Sequence, residues 1–156
     1  MQWLDLSFNR IERIEGLDRL TKLTDLSLCN NQITKIENLR DCKKLKILSL
    51  GNNKIAQLDQ VKVLRELPNL QVLNVAGNPM CKDSEYRNFC LAYLKHLKYF
   101  DYALLVESEV IAAKEQFQDF LTEVEEKEAL EDKVRRAQPP TNCLFGACVN
   151  GLRVCW

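Results

Sequence analysis

A single pattern recurs along the first half of the chain and constrains its fold more than any other feature. Each copy has an apolar residue, two variable residues and then the string L-x-[LV]-x-x-N. The copies begin at Met1, Leu23, Leu45 and Leu70, so the period is 22, 22 and then 25 residues. A unit this short cannot bury its apolar side alone, but stacked copies share one continuous core. The sequence therefore predicts a linear stack of four similar units.

Each copy continues with apolar residues at every third position, as in Ile33, Ile36 and Leu39. A unit of about 22 residues with a short strand, a turn and an apolar segment that returns on the opposite side is typical of leucine-rich repeats. Alternating strand residues face opposite sides, which places Leu26 and Leu28 inside. We predict an α/β fold, a leucine-rich-repeat solenoid of the 22-residue class, with its four repeats in residues 1–78. The longer third period predicts a longer convex helix near residues 59–67.

An asparagine ends the conserved string in all four copies. A side-chain amide at this point can satisfy backbone groups where the strand turns outward. We predict a structural asparagine ladder rather than a ligand site. Its members are Asn9, Asn31, Asn53 and Asn78.

The period breaks after Asn78, and helical spacing of apolar residues follows from Tyr86 to Leu97, with Asp83 or Ser84 as the expected N-cap. A short aromatic strand comes next. Tyr86, Leu94 and Asp101 match the C-terminal cap of 22-residue repeats, whereas Lys95 replaces its proline and Phe100 its last leucine. Residues 79–106 are predicted to form this C-terminal repeat cap.

Residues 107–138 are rich in charge and carry an apolar stripe that includes Val110, Phe117 and Val124. The stripe predicts an amphipathic helix, which is either the start of a coiled coil or a helix that packs back on the repeats. Pro139 and Pro140 end it. Residues 139–156 show no periodicity, so we predict an unstructured tail and hypothesise an origin in alternative splicing or a shifted gene model.

Met1 occupies the first leucine position of a repeat, and no cap sequence precedes it. We therefore expect that a longer relative has additional N-terminal repeats or a cap. An uncovered strand edge favours unwanted pairing. The isolated chain is accordingly expected to be unstable or to aggregate.

The chain offers no residues for catalysis or for a cofactor. It lacks a phosphate loop, a nucleophile elbow and a metal-ligand cluster, and its single histidine, His96, lies within the cap. The cysteines form no CxxC pair, and those among the repeats are expected to be reduced core residues. The 22 basic and 22 acidic residues cancel, and no run of about 18 apolar residues occurs. We expect a soluble, intracellular, non-enzymatic protein without metal, nucleic acid, membrane or small-molecule ligand.

Solenoids bind partners through the surface formed by their strands. The outward strand positions of the four repeats are therefore the candidate partner-binding concave face. An exposed apolar strip flanked by aspartates suits an interface, because aromatic anchors dominate binding energy. The candidates are Trp3, Asp5, Phe8, Asp25, Ser27, Ile47, Ser49, Val72 and Asn74. The alternative is that Trp3 and Phe8 are covered by further repeats or by the C-terminal helix.

Several stretches carry a closer likeness, namely WLDLSFN at residues 3–9, IEGLD at 14–18, LSLGNN at 48–53, LAYL at 91–94 and YFDY at 99–102. They resemble the dynein regulatory complex subunit 3 family, the leucine-rich-repeat subunits of the nexin-dynein link in cilia and flagella. The likeness covers roughly residues 1–137. It implies a cytoplasmic, cytoskeletal scaffold of the ciliary axoneme that binds other subunits of that complex through the concave face and the C-terminal helix. Two alternatives remain open, a regulatory subunit of a protein phosphatase and a nuclear ribonucleoprotein component.

Overall fold

The computed structural model describes residues 2–137, and its centre is one six-stranded sheet. The predictions for Met1 and for residues 138–156 lie outside these residues. The strands are β1 Trp3–Asp5, β2 Asp25–Ser27, β3 Ile47–Ser49, β4 Val72–Asn74, β5 Tyr99–Phe100 and β6 Ala103–Leu104. Neighbours along the chain are neighbours in the sheet, and all pairs are parallel except β5 with β6. This topology is the predicted solenoid, in which each repeat adds one strand.

The inward side of the sheet is a column of leucines. Leu26, Leu48 and Leu73 are paired in register and are each at most 1% exposed. Full burial of a leucine side chain stabilises the fold by about 2 kcal/mol. Leu4 holds the same position in β1 but is only half-buried, because β1 has a neighbouring strand on one side alone.

The 25-residue repeat differs from its neighbours on the return side. It contains a nine-residue 3₁₀ helix, Leu58–Glu66, which we call the convex helix. Val61 and Leu64 bury its inner side. Its outer side holds Lys62 and Arg65 over aromatic rings, with Lys62 Nζ 4.7 Å from the Phe120 ring centre. Cation–π contacts of this kind contribute about 1 kcal/mol each, so the longer return gives the C-terminal helices a surface to pack on.

The remaining helices follow β4. A 3₁₀ turn covers Pro79–Lys82, and α1 covers Tyr86–Tyr93. The predicted N-cap of α1 at Asp83 or Ser84 is wrong, because Glu85 holds that position. The Asp83 carboxylate instead accepts a hydrogen bond from the Glu85 amide, at 2.9 Å.

The charged stretch forms two helices, α2 Glu107–Gln116 and α3 Gln118–Ala137. Phe117 leaves helical geometry between them, and its ring meets the Phe89 ring edge-on at 5.7 Å. That contact with α1 explains why one continuous helical pattern is interrupted here. Ala113 of α2 is 1% exposed.

Residue contacts divide the chain into two units, Met1–Leu121 and Thr122–Trp156. The first contains the sheet, the cap, α2 and the first turn of α3. In the second, α3 continues with Leu130 and Val134 exposed to solvent.

Candidate protein-binding surface

The solvent side of the six strands, which we call the strand face, carries an uninterrupted row of paired residues. Its members in strand order are Trp3, Asp25, Ile47, Val72, Tyr99 and Leu104. Strands lie about 4.8 Å apart, so the row spans roughly 24 Å. Trp3 is 65% exposed, Tyr99 45% and Leu104 63%. Five of these six side chains are apolar or aromatic, which makes the row a candidate centre for a protein interface.

A second row of the strand face is polar and internally bonded. The Ser7 amide donates to Asp5 Oδ1 at 2.9 Å, and the Ser7 and Ser27 hydroxyls lie 2.7 Å apart. The hydrogen bonds from Ser7 lower the pKa of the Asp5 carboxyl, so Asp5 is charged at neutral pH. Ser49 is half-buried. Asn74 is only 5% exposed, and its side-chain amide donates to the Tyr102 hydroxyl at 2.5 Å.

Phe8 lies beyond the end of β1 and has an unusual backbone. Its φ is 57°, and the equivalent residues of the other repeats, Asn30, Asn52 and Gly77, have φ values of 55°, 54° and 78°. Asparagine and glycine adopt this left-handed conformation readily, whereas a bulky residue does so at a cost. The Phe8 side chain is nevertheless 81% exposed. Phe8 thus combines backbone strain with a large solvent-exposed ring.

The four asparagines predicted as a ladder lie at the turn after each strand. In the second repeat, Asn31 Nδ2 donates to the carbonyls of Leu6 and Leu28, both at 3.0 Å, while its Oδ1 accepts from the Ile11 amide at 3.0 Å. Asn53 and Asn78 repeat this arrangement one repeat further on. Asn9 is exposed and bonds only within its own repeat, to the Leu6 and Ser7 carbonyls. Each inner asparagine therefore joins two repeats.

At the cap, an aspartate takes over the role of the asparagines. Asp101 Oδ1 accepts from the amides of Val75 and Ala76, at 2.7 and 3.0 Å, and its Oδ2 accepts from the Tyr86 hydroxyl at 2.8 Å. Burial, together with the adjacent Asp101 carboxylate, raises the pKa of Tyr86 far above its ordinary value. Tyr86 therefore stays a hydrogen-bond donor at every physiological pH.

The titratable groups of residues 2–137 provide no reactive centre. Burial raises the pKa of the Cys90 thiol strongly, and it also raises that of Cys42. Protonated, buried thiols are poor nucleophiles and act as small core residues. Among residues 2–137, no cluster of histidine, cysteine or carboxylate side chains could hold a metal ion. Within the same residues, no helix has the length and apolar character needed to cross a membrane.

Three exposed aromatic or apolar residues of the strand face were missed by sequence reasoning. The sequence patterns place Tyr99, Tyr102 and Leu104 in the cap and do not single them out as surface residues. The signal was present, because Leu97 to Phe100 aligns with Leu70 to Leu73 as a degenerate fifth strand segment. Extending the repeat alignment by one copy would have placed Tyr99 in the same row as Val72.

Parallel strands joined by an asparagine ladder and closed by a cap define a leucine-rich-repeat protein. The leucine-rich-repeat family model matches residues 1–129, and the chain belongs to this family. Dynein regulatory complex subunit 3 of Rattus norvegicus is 45% identical over 67 residues, which are 43% of this chain and 13% of that protein. The same subunit of Mus musculus is 45% identical over 66 residues, 42% of this chain. The aligned segment thus spans about an eighth of the length of these curated relatives.

Solved structures show the same architecture. The Drosophila melanogaster SNF/U2A' complex contains a chain with a TM-score of 0.70 and 26% identity, covering 78% of this chain and 74% of that one. An internalin from Listeria monocytogenes has a TM-score of 0.56 and 30% identity, covering 67% of this chain and 29% of its own. These similarities confirm the predicted solenoid class.

Proposed function

We propose that this chain is a non-catalytic protein-binding scaffold of the axoneme, acting as a structural subunit of the nexin-dynein regulatory complex that helps regulate ciliary motility. The exposed apolar row of the strand face carries the binding part of the proposal, since Trp3, Ile47 and Tyr99 offer anchors on a rigid sheet. The 45% identity to dynein regulatory complex subunit 3 supports the axonemal assignment.

Proximity labelling in ciliated cells tests this proposal. The protein is fused to a biotin ligase, and labelled proteins are identified by mass spectrometry. We expect enrichment of regulatory-complex subunits of the axoneme. Recovery of phosphatase catalytic subunits without axonemal proteins would overturn the assignment.

A double variant tests whether partners bind through the strand face. Trp3→Ala combined with Tyr99→Ala removes two exposed aromatic anchors, and truncation of such anchors commonly costs about 2 kcal/mol each in binding. We expect this double variant to lose most of the axonemal labelling. Leu130→Ala combined with Val134→Ala is the comparison variant, because it removes exposed apolar groups of α3, the other element expected to bind partners. Full labelling in the Trp3 and Tyr99 variant would contradict binding through the strand face.

A second candidate is a component of a nuclear ribonucleoprotein. The similarity to the SNF/U2A' complex, which covers about three quarters of both chains, favours this alternative. Under this hypothesis the same labelling experiment enriches nuclear RNA-binding proteins instead of axonemal proteins. The two candidates are therefore separated by one measurement.

A further inference from the structure

The edge of the sheet at which the strands begin is strongly basic and lies beside the apolar row of the strand face. Each of the last three repeats, and also the cap, contributes three residues to this edge. Two of the three directly precede the first leucine of the segment, and the third directly follows it. These residues are Thr21, Lys22 and Thr24; Lys43, Lys44 and Lys46; Pro68, Asn69 and Gln71; and Lys95, His96 and Lys98. We call this set the strand-entry edge. It contains six lysines and a histidine and not one acidic residue.

Backbone hydrogen bonds bring these positions together in space. The Lys46 amide donates to the Thr24 carbonyl at 2.7 Å, the Gln71 amide to the Lys46 carbonyl at 2.9 Å, and the Lys98 amide to the Gln71 carbonyl at 2.7 Å. Lys46 and Lys98 are consequently two strand spacings apart, about 10 Å. Lys22, Lys44, Lys46 and Lys98 are all exposed. The lysines therefore form a band of positive charge that is interrupted once, at the uncharged positions Pro68, Asn69 and Gln71.

An open depression of about 370 Å³ lies in this band, between the fourth repeat and the cap. Asn69 and Gln71 line one side of it, and His96 and Lys98 line the other. Its polar lining suits carboxylate side chains rather than an apolar anchor. Lys98 is followed directly in the sequence by Tyr99, which belongs to the apolar row of the strand face.

We propose that the strand-entry edge binds an acidic segment of a partner protein, whose apolar side chains reach the adjacent row of the strand face. Charge complementarity selects the acidic partner, because this edge has positive charges alone. The neighbouring row favours a polypeptide over a nucleic acid, since it is mainly apolar and its one charge is the carboxylate of Asp25. The inference refines the proposed scaffold function and rests on it only in taking the ligand to be a protein.

The test uses a fluorescein-labelled peptide of about eight residues, rich in glutamate and with a single leucine, which can extend over roughly 26 Å. Its binding to the whole chain is measured by fluorescence anisotropy. We expect binding that weakens as ionic strength rises from about 0.05 to about 0.3 M, because salt screens exposed charges. The same peptide with glutamine in place of glutamate is expected not to bind. Equal affinity for the two peptides would overturn the proposal.

Two triple variants of equal charge locate the site. Lys44→Glu, Lys46→Glu and Lys98→Glu together reverse the strand-entry edge, and we expect at least about a tenfold loss of affinity. Lys35→Glu, Lys54→Glu and Lys82→Glu change exposed lysines beyond the asparagine ladder and should keep affinity within about twofold. Circular dichroism checks that both fold. Equal losses in the two variants, or displacement of the peptide by a single-stranded RNA of matched charge at lower concentration, would refute an acidic-protein site.

These outcomes are separable from those of the proposed function. If axonemal labelling persists in the Lys44, Lys46 and Lys98 variant while peptide binding fails in the unchanged protein, the scaffold assignment survives and the acidic-segment site does not. If the peptide binds at this edge but no axonemal protein is labelled, the acidic-segment site survives and the axonemal assignment fails.

Discussion

Around β4 the hydrogen-bonding groups at the strand turn are enclosed, whereas around β1 the equivalent groups face solvent. Asn78 is 4% exposed and joins two repeats, while Asn9 is exposed and bonds only within its own repeat. Beyond β4, Asp101 of the cap accepts hydrogen bonds from the amides of Val75 and Ala76. The two regions have the same repeat motif but different neighbours.

The difference shows that the same repeat position contributes differently to the free energy of unfolding in different repeats. Leu73 is fully buried and Leu4 half-buried, although both occupy the same place in the repeat. Solenoid stability is roughly a sum of terms within repeats and between neighbouring repeats. A substitution at β1 therefore affects one repeat and one interface, whereas the same substitution further along the stack affects one repeat and two interfaces.

The largest expected difference between the two regions is in the asparagine ladder. Asn53→Ala leaves the Ile33 amide and the Leu28 and Leu50 carbonyls without their partner in a buried site. Unsatisfied buried groups cost about 1–3 kcal/mol each, so we expect a loss of about 3 kcal/mol in the free energy of unfolding. Urea denaturation followed by circular dichroism measures it.

Asn9→Ala is the matched control at the exposed end. Water replaces its hydrogen bonds to the Leu6 and Ser7 carbonyls, and exposed substitutions usually stay within about 0.5 kcal/mol. Similar losses in Asn9→Ala and Asn53→Ala would show that the ladder acts within each repeat and not between repeats.

A smaller loss is expected at the cap. Asp101→Ala removes the acceptor of the Val75 and Ala76 amides and of the Tyr86 hydroxyl, and it places alanine at a φ of 45°. We expect destabilisation of about 2 kcal/mol in urea denaturation. Asp101→Asn retains an oxygen acceptor and a residue type that tolerates positive φ, so its loss should be about half as large. A larger loss for the asparagine variant would mean that the charge, rather than the acceptor geometry, holds the cap.

Most of the repeat stack could be predicted from the sequence because its determinants are local. The 22-residue period determines which leucines pair, and the strand alternation of Leu26 and Leu28 identifies the inward side. The same alternation supplied the candidate residues of the strand face that lie in β1 to β4. These features depend on spacing along the chain, which the sequence displays directly.

Features that depend on contacts between distant segments could not be predicted from spacing along the sequence. The break at Phe117 arises from packing on Phe89, and an uninterrupted helical pattern gives no sign of it. The hydrogen-bond partner of the Asn74 side chain is Tyr102, which lies 28 residues further along the chain. The cap residues Lys95, His96 and Lys98 join the basic strand-entry edge only once β5 is paired with β4.

A smaller effect than those at Asn53 and Asp101, and of the opposite sign, is expected for replacement of Phe8. Its φ of 57° suits asparagine, which occupies the equivalent position in the next two repeats, Asn30 and Asn52. Phe8→Asn relieves the strain and sacrifices little burial, since the side chain is 81% exposed. We expect a gain of about 1 kcal/mol in the free energy of unfolding, measured by urea denaturation.

The reciprocal change, Asn30→Phe, should destabilise by about the same amount or more, because it introduces the strain and removes the acceptor of the Asn52 amide. If Phe8→Asn instead lowers the free energy of unfolding, the Phe8 ring contributes to folding. The strained backbone of Phe8 is then no sign of a role in partner binding. If it stabilises the fold and also weakens the axonemal labelling, Phe8 is strained in the free protein and used in the complex. The exposed end of the stack would then be a partner-binding region, in contrast to the enclosed end at β4.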